Sequence, residues 1–365
     1  MNLKLTLLLL SGLAFGCQSK QDNTAQSGDS TATTATATTE TSTGNVQLLQ
    51  NLPEAYNTPD GLALAPDSSV ILSVCNFGNP SFPAALLRLE GDSLRFFFAP
   101  PALEETRHAG PMDLAYGPDG HLYYADNQYF YNRNYKSRLM RIRMQGGKPT
   151  KAEPVVTGLR LPNAIVWEGN TLYITDSQWD TPDRPRDSAI LRFSLAEMST
   201  GTPVKMTSGP ADPHVFTTFT TGENESGIDN GCDGLDFDSK GNLYTGGFGD
   251  GILFKMTLKP DGSMANKTQI AKLACVDGLI VDRATDRLYV CDSKSNAIRI
   301  VTTEGAVSTL AENGDTDGAN GLLDQPAEVL LRGRRLFISN YDLPEGKFKN
   351  QRFDAPHTMS YVDLK

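Results

Sequence analysis

Apolar and polar positions alternate with a period of two along GCDGLDFDSKGNLYTGGFGDGILFKM, which begins at Gly231. Leu235 and Phe237 lead into a polar turn at Asp238-Ser239-Lys240-Gly241, Leu243 and Tyr244 follow, and a Gly-rich corner opens a third run at Ile252, Leu253 and Phe254. Alternation of this kind between turn residues predicts half-buried antiparallel strands in a meander. No helical period intervenes. One meander cannot cover its own apolar faces, so it needs neighbours.

The neighbours recur along the chain as PDGLALAPDSSVILSVCN from Pro59, PMDLAYGPDGHLYYAD from Pro111, PNAIVWEGNTLYITD from Pro162, VDGLIVDRATDRLYVCD from Val276 and PAEVLLRGRRLFISN from Pro326. Each copy reads as a small or polar anchor, an apolar run, a turn, and a second strand closing on Asp, Asn or Gly. The six anchors are Asp60, Met112, Asn163, Asp233, Asp277 and Ala327. Steps of roughly fifty residues match four-stranded propeller blades. The pattern predicts an all-β, six-bladed β-propeller, with an open β-sandwich of irregular strands as the alternative. A strand at residues 46–52 has no partner ahead of it, and residues 359–364 leave the last blade one strand short. The N-terminal strand is therefore expected to close the last blade as its outer strand, removing a free edge.

The turns between first and second strands are short, whereas the connections leaving the second strands are long and unlike one another, at residues 76–83, 127–138, 177–188 and 341–358. Long variable loops on one rim over short turns on the other predict a single functional face. Its aromatics, Tyr129, Phe130, Tyr131, Tyr135, Trp179 and Tyr341, either line a substrate mouth or pack the loops.

Composition narrows the function classes. The chain has 365 residues and a net charge of -10 with no basic run, which argues against nucleic acid and against an anionic membrane surface. Only four histidines occur, so a His-rich transition-metal site is not expected. Residues 1–16 hold one lysine, a leucine-rich stretch and small residues before Cys17, which reads as a secretion signal. The ending Leu13-Ala14-Phe15-Gly16-Cys17 resembles the bacterial lipobox, in which the cysteine is lipidated and becomes the new amino terminus; the alternative is an ordinary signal peptide with a chance cysteine. Residues 17–45 carry no aromatic side chain and are mostly Thr, Ser, Ala, Gln and Asp, a composition that reads as a flexible tether reaching on the order of 30 Å. The propeller then occupies residues 46–365. These features predict an exported protein on the periplasmic or cell-surface side, a monomer touching a membrane only through its lipid.

The remaining cysteines are Cys75, Cys232, Cys275 and Cys291. Cys275 and Cys291 fall on neighbouring strands of one blade and could pair, or all four could serve as small buried apolar residues. No C-x-x-C spacing suggests zinc.

Candidate chemistry gathers at the anchors. Asp60, Asn163, Asp233 and Asp277 offer oxygen donors where the inner strands enter the channel. Carboxylates converging on one axis repel, so one must keep its proton or they must share a cation. A hard divalent ion with oxygen ligands answers this, Ca²⁺ before Mg²⁺, with Mn²⁺ and Zn²⁺ as alternatives. The competing reading is that Asp-Gly and Asn-Ala only mark where a strand begins. Asp113 and Glu328 stand one residue past an anchor and should point elsewhere unless a bulge rotates them, which makes them supporting groups. His108, in the loop entering blade two, is the histidine best placed to reach the rim.

PNAIVWEGNTLYITD, GCDGLDFDSKGNLYTGG and VDGLIVDRATDRLYVCD resemble blades of the senescence marker protein/gluconolactonase/LRE-like family, whose short motifs are shared with NHL-repeat propellers. The resemblance spans most of residues 46–365. It implies a divalent cation held in the channel by a Glu, one or two Asn and an Asp, and hydrolysis of lactones or related esters. In one register Asp60 falls where the family has Glu, Asn163 and Asp233 match its asparagines, Asp277 matches its aspartate, and Met112 falls in the ligand-free blade. Starting one blade later matches Asp233 to the aspartate but puts Met112 and Ala327 at ligand positions that neither can fill. The implied enzyme is a hydrolase of ester bonds acting on a small molecule, with Asp277 as the catalytic base. The alternative is a non-catalytic propeller that binds a glycan, peptide or partner protein at its loop face.

Overall fold

In the computed structural model, residues 45–365 are described apart from 92, 180–185, 208 and 210. The leader, Cys17, the tether through residue 44 and part of the 177–188 loop lie outside the described residues. The strands form six separate sheets arranged as a six-bladed β-propeller. Blade one comprises Pro59–Leu64, Val70–Val74, Ala85–Glu90 and Ser93–Phe98, paired in that order and antiparallel throughout. The inner strands of blades two to six are Pro111–Tyr116, Pro162–Glu168, Cys232–Phe237, Leu279–Asp282 and Pro326–Arg332.

Closure follows the expectation from the orphan strand. Gln47–Asn51 pairs antiparallel with Thr358–Asp363, so the first strand of the domain is the outer strand of blade six. Residues from the two chain ends also share an apolar layer, in which Leu52 packs with Met359 and Phe337.

Burial falls from the second strand outward. Val70–Val74 and Leu122–Asp126 are buried along their whole length, because each lies mid-sheet with a neighbouring blade on both faces. The outer strand Met264–Lys272 is mostly exposed and polar. Apolar side chains from adjacent blades interdigitate, as where Tyr173 of blade three meets Phe237 of blade four with ring centroids 5.2 Å apart. Blade two gains a fifth strand, Val204–Lys205, which pairs parallel with Lys148–Leu159. That strand comes from the insertion that makes the step between Asn163 and Asp233 the longest of the five between successive anchors.

Two repeated devices hold the inner strands in place. The closing Asp or Asn of a second strand accepts backbone N–H groups from the chain arriving at the axis. Asp126 Oδ1 takes Gly110 N at 2.9 Å, Asp176 Oδ1 takes Leu161 N at 2.9 Å, and Asp292 Oδ1 takes Cys275 N at 3.0 Å. A Ser or Thr on the second strand then satisfies the first inner N–H groups: Gly61 N donates to Ser73 Oγ at 2.8 Å, Ala164 N to Thr175 Oγ1 at 2.9 Å and Glu328 N to Ser339 Oγ at 3.1 Å. Both devices are needed because the ladder slips there. Five of the six inner strands shift register just past the anchor, as between Pro111 and Leu114 and between Pro326 and Glu328.

Candidate metal centre in the channel

All six anchors reach the same place. Asp60, Met112, Asn163, Asp233, Asp277 and Ala327 line one cavity of about 40 Å³ at the loop-bearing rim of the channel. Asp60, Asp233 and Asp277 are 6%, 4% and 8% exposed, so three largely buried carboxylates surround a space with room for only a few water molecules.

The Asp-Gly pairs at three anchors are a packing requirement rather than a turn. A Cβ on Gly234 would sit 2.3 Å from the Asp277 carbonyl oxygen, and one on Gly278 would sit 2.4 Å from that of Ala327. Neighbouring inner strands approach this closely because Gly234 N and Gly278 N donate to those same carbonyls, at 3.1 and 2.8 Å. The glycine lets the rings of backbone close, and the aspartate beside it is thereby held at the axis.

Electrostatics in the cavity are one-sided. Burial, then Asp277 and Asp113, raise the Asp60 carboxyl well above its ordinary range. Burial and Asp60 do the same to Asp233, partly opposed by a hydrogen bond from Asn163. Burial and Asp233 raise Asp277, opposed by Ser293, whose hydroxyl donates to Asp277 Oδ2 at 2.6 Å. No Lys, Arg or His lines the cavity among the described residues. Asp60 Oδ2 is buried without a hydrogen-bond partner among them. An orphaned carboxylate oxygen, two further carboxylates and an amide, with no positive side chain between them, form a donor set that fits a hard divalent cation.

Asp113 and Glu328 are rotated by the bulges and also face the channel, one level deeper. With Asp236 they line a second cavity of about 230 Å³ toward the short-turn rim. Each is tied to backbone: Asp113 Oδ2 accepts from Ile165 N of the next blade at 2.8 Å, Asp236 Oδ2 from Val281 N at 2.8 Å, and Glu328 Oε1 from Val329 N at 2.8 Å. Burial pushes Asp113 up to about 7 and Asp236 up to about 6. Asp113 and Asp236 thereby clip neighbouring blades together below the rim cavity, while Glu328 is held by its own strand.

His108 is not among the residues lining the rim cavity. Its ring stacks on Tyr131 at 4.1 Å between centroids, in a groove shared with Cys75 and Pro80. The loop aromatics divide between the two roles considered for them. Phe130 and Tyr341 line the cavity, whereas Trp179 is buried against Tyr135 at 5.9 Å and packs the loops. Cys75, Cys232, Cys275 and Cys291 are all buried free thiols, so Cys275 and Cys291 serve as core residues.

The cavity wall also contains residues that the sequence pattern does not single out: Asn127, Asn230, Phe248, Gln325 and Glu345. Phe248 was within reach of sequence reasoning, because it follows the second strand of blade four at the rim. Glu345 was not, since it sits in an aperiodic loop. Burial raises Glu345, and the Lys294 ammonium behind it partly offsets that.

Residues 82–276 match the model of the SMP-30/Gluconolactonase/LRE-like region, more than half of the sequence. The chain belongs to the SMP-30/gluconolactonase/LRE-like family. No curated protein matches the sequence significantly. Among solved structures, a gluconolactonase from Xanthomonas campestris is similar with a TM-score of 0.55 and 13% identity, over 88% of this chain and 90% of that one. The calcium-binding protein regucalcin from Agrobacterium tumefaciens is similar with a TM-score of 0.53 and 12% identity, over 89% and 97%. A putative oxidoreductase (glucose dehydrogenase) from Thermus thermophilus is similar with a TM-score of 0.58 and 15% identity, over 87% and 99%. At such identities these likenesses establish the propeller fold and leave the chemistry to the site.

Proposed function

We propose that this family member is a metal-dependent hydrolase of a lactone or related ester. The observation that carries the reading is the rim cavity itself: Asp60, Asn163, Asp233 and Asp277 converge with one carboxylate oxygen unpartnered and no cationic side chain present. The family membership and the gluconolactonase likeness support the same substrate class.

Those four residues would hold the ion, Ca²⁺ foremost. A divalent cation, when bound, supplies Lewis-acid polarisation of a carbonyl oxygen and activation of water. Asp277 is the group that takes the water's proton; the Ser293 hydroxyl fixes which of its oxygens remains available. Asn163 donates to Asp233 and so orients that carboxylate toward the cavity. Phe130, Phe248 and Tyr341 form the apolar side of the wall and limit water around the reacting bond. The cavity is small, so the body of the substrate would rest among the rim loops, which set specificity.

A panel of sugar-derived and aliphatic lactones, with aryl esters and phosphotriesters beside it, tests the reading. Turnover that needs added metal and falls by roughly a hundredfold or more in Asp277→Asn is expected. Bound metal with no turnover on any member of the panel would instead favour a propeller that binds a glycan, peptide or partner protein at its loop face. By the same reading Cys17 carries a lipid and residues 18–44 hold the propeller away from the membrane. Fractionation checks this: Cys17→Ala should release the protein from membranes, and a variant still sedimenting with them would contradict the anchor.

A further inference from the structure

Outside the channel, three acidic side chains gather in the loops of blade six. Asp324 precedes the inner strand Pro326–Arg332, Asp342 follows the second strand Arg335–Asn340, and Asp354 belongs to the long connection to Thr358–Asp363. One carboxylate oxygen of each lies within 4.8 Å of those of the other two.

An acidic cluster alone is ordinary. This one differs in how each carboxylate divides its two oxygens. Asp324 Oδ1 accepts from Asn350 Nδ2 at 2.5 Å. Asp342 Oδ2 lies 3.0 Å from His357 Nδ1 and accepts from Asp354 N at 3.2 Å. Asp354 Oδ2 faces Arg352 Nη1 at 3.3 Å. The second oxygen of each (Asp324 Oδ2, Asp342 Oδ1, Asp354 Oδ1) is buried with no hydrogen-bond partner among the described residues. Asp324 and Asp342 are both 0% exposed. A single bare, buried carboxylate oxygen is costly, and here each of three clustered carboxylates carries one.

We propose that Asp324, Asp342 and Asp354 form a second divalent-cation site, distinct from the channel and suited to Ca²⁺. Three hard oxygen donors without histidine or thiolate ligands select an alkaline-earth ion. Oxygens within 4.8 Å of one another are compatible with the Ca–O distances of about 2.3–2.6 Å. Asn350, His357 and Arg352 play the part usual behind ligating carboxylates, fixing the outward oxygen so that the inward one is aimed.

The consequence reaches the channel through covalent neighbours. Gln325 follows Asp324, Tyr341 precedes Asp342, and both line the rim cavity. Tyr341 N donates to Gln325 O at 2.9 Å, and Leu343 N donates to Gln325 Oε1 at 2.8 Å. Glu345, also in that wall, lies on the same loop. An ion behind this wall fixes the loop 341–358 to the ring and so positions Tyr341 and Glu345.

The test is Ca²⁺ calorimetry on the full chain stripped with chelator. The Asp233→Asn/Asp277→Asn chain, which lacks the channel carboxylates, should still bind one Ca²⁺. Adding Asp354→Asn or Asp324→Asn should weaken that binding by roughly tenfold or more. Asp354 is part-exposed, so the single Asp354→Asn variant keeps the test independent of whether the channel variants fold: one of its ions should bind roughly tenfold or more weaker than in the unaltered chain. Ca²⁺ should also protect residues 343–356 from proteolysis in the unaltered chain and lose that effect in Asp354→Asn. Should the channel bind nothing, the unaltered chain would still bind one ion, weakened by Asp354→Asn. Ca²⁺ stoichiometry and affinity unchanged by both Asp354→Asn and Asp324→Asn would overturn the proposal.

Discussion

Buried aspartates dominate the channel, and their proton balance makes a prediction. Burial raises Asp113 from the ordinary 3.8 to about 7 and Asp236 to about 6. Between 3.8 and those values the folded protein holds protons that the unfolded chain has released, so stability without metal should fall as pH rises through that window. A cation in the rim cavity prefers Asp60, Asp233 and Asp277 deprotonated, and burial raises all three, so its stabilisation should grow as pH rises. At a hundredfold excess over Kd the gain should be about 2.7 kcal/mol. Thermal melts at about pH 5 and pH 8, with chelator and with Ca²⁺, check both signs; identical melts in chelator and Ca²⁺ at the higher pH would exclude a tight site. Some of these residues were legible beforehand. Asp60, Asn163, Asp233 and Asp277 recur at one position of a repeat, and a ring of blades brings that position to one axis. Asp113 and Glu328 were not assignable, because strict period-two alternation points them away and the bulge that turns them has no clear sequence mark. Asp324, Asp342 and Asp354 are spread over an aperiodic stretch, so only the fold brings them together.

Among the elements, the inner strands and the closing strand are the points of greatest consequence. Gly278→Ala would place a methyl group 2.4 Å from the Ala327 carbonyl oxygen, with Glu328 Oε1 at the same distance. Backbone cannot yield as a side-chain tip can, so a loss of roughly 1–3 kcal/mol is expected in urea unfolding, alongside weaker metal binding at the neighbouring Asp277. Unchanged stability would mean that the inner strands can separate freely. The Gly in Asp-Gly was readable from sequence only as a turn; its role as a point of contact between blades depends on the tertiary approach. The closing strand was readable, because an unpaired strand at one end and a missing one at the other admit a simple solution. A chain beginning at Asn57 lacks Gln47–Asn51 and exposes the edge of Thr358–Asp363. It should unfold without a single cooperative transition or should aggregate. A melt like that of the full domain would show that the ring holds without its clasp.

At the scale of the whole molecule, six sheets with unrelated loops make one ring that brings one anchor residue from the entry of each inner strand to the same small volume. The blade period foretold the ring, and the long loops lie on the rim where the anchor-lined cavity opens. The loops' own conformations, and therefore the specificity they impose, follow no period and had to come from the structure. What the ring is for turns on whether its axis holds an ion. The most direct measurement is an anomalous difference map from crystals of the full chain grown with Mn²⁺, a diffracting substitute for Ca²⁺. The expected result is a peak in the rim cavity within coordination distance of Asp60, Asn163, Asp233 and Asp277. A well-ordered cavity at that position holding only water, with metal abundant in the crystal, would contradict it.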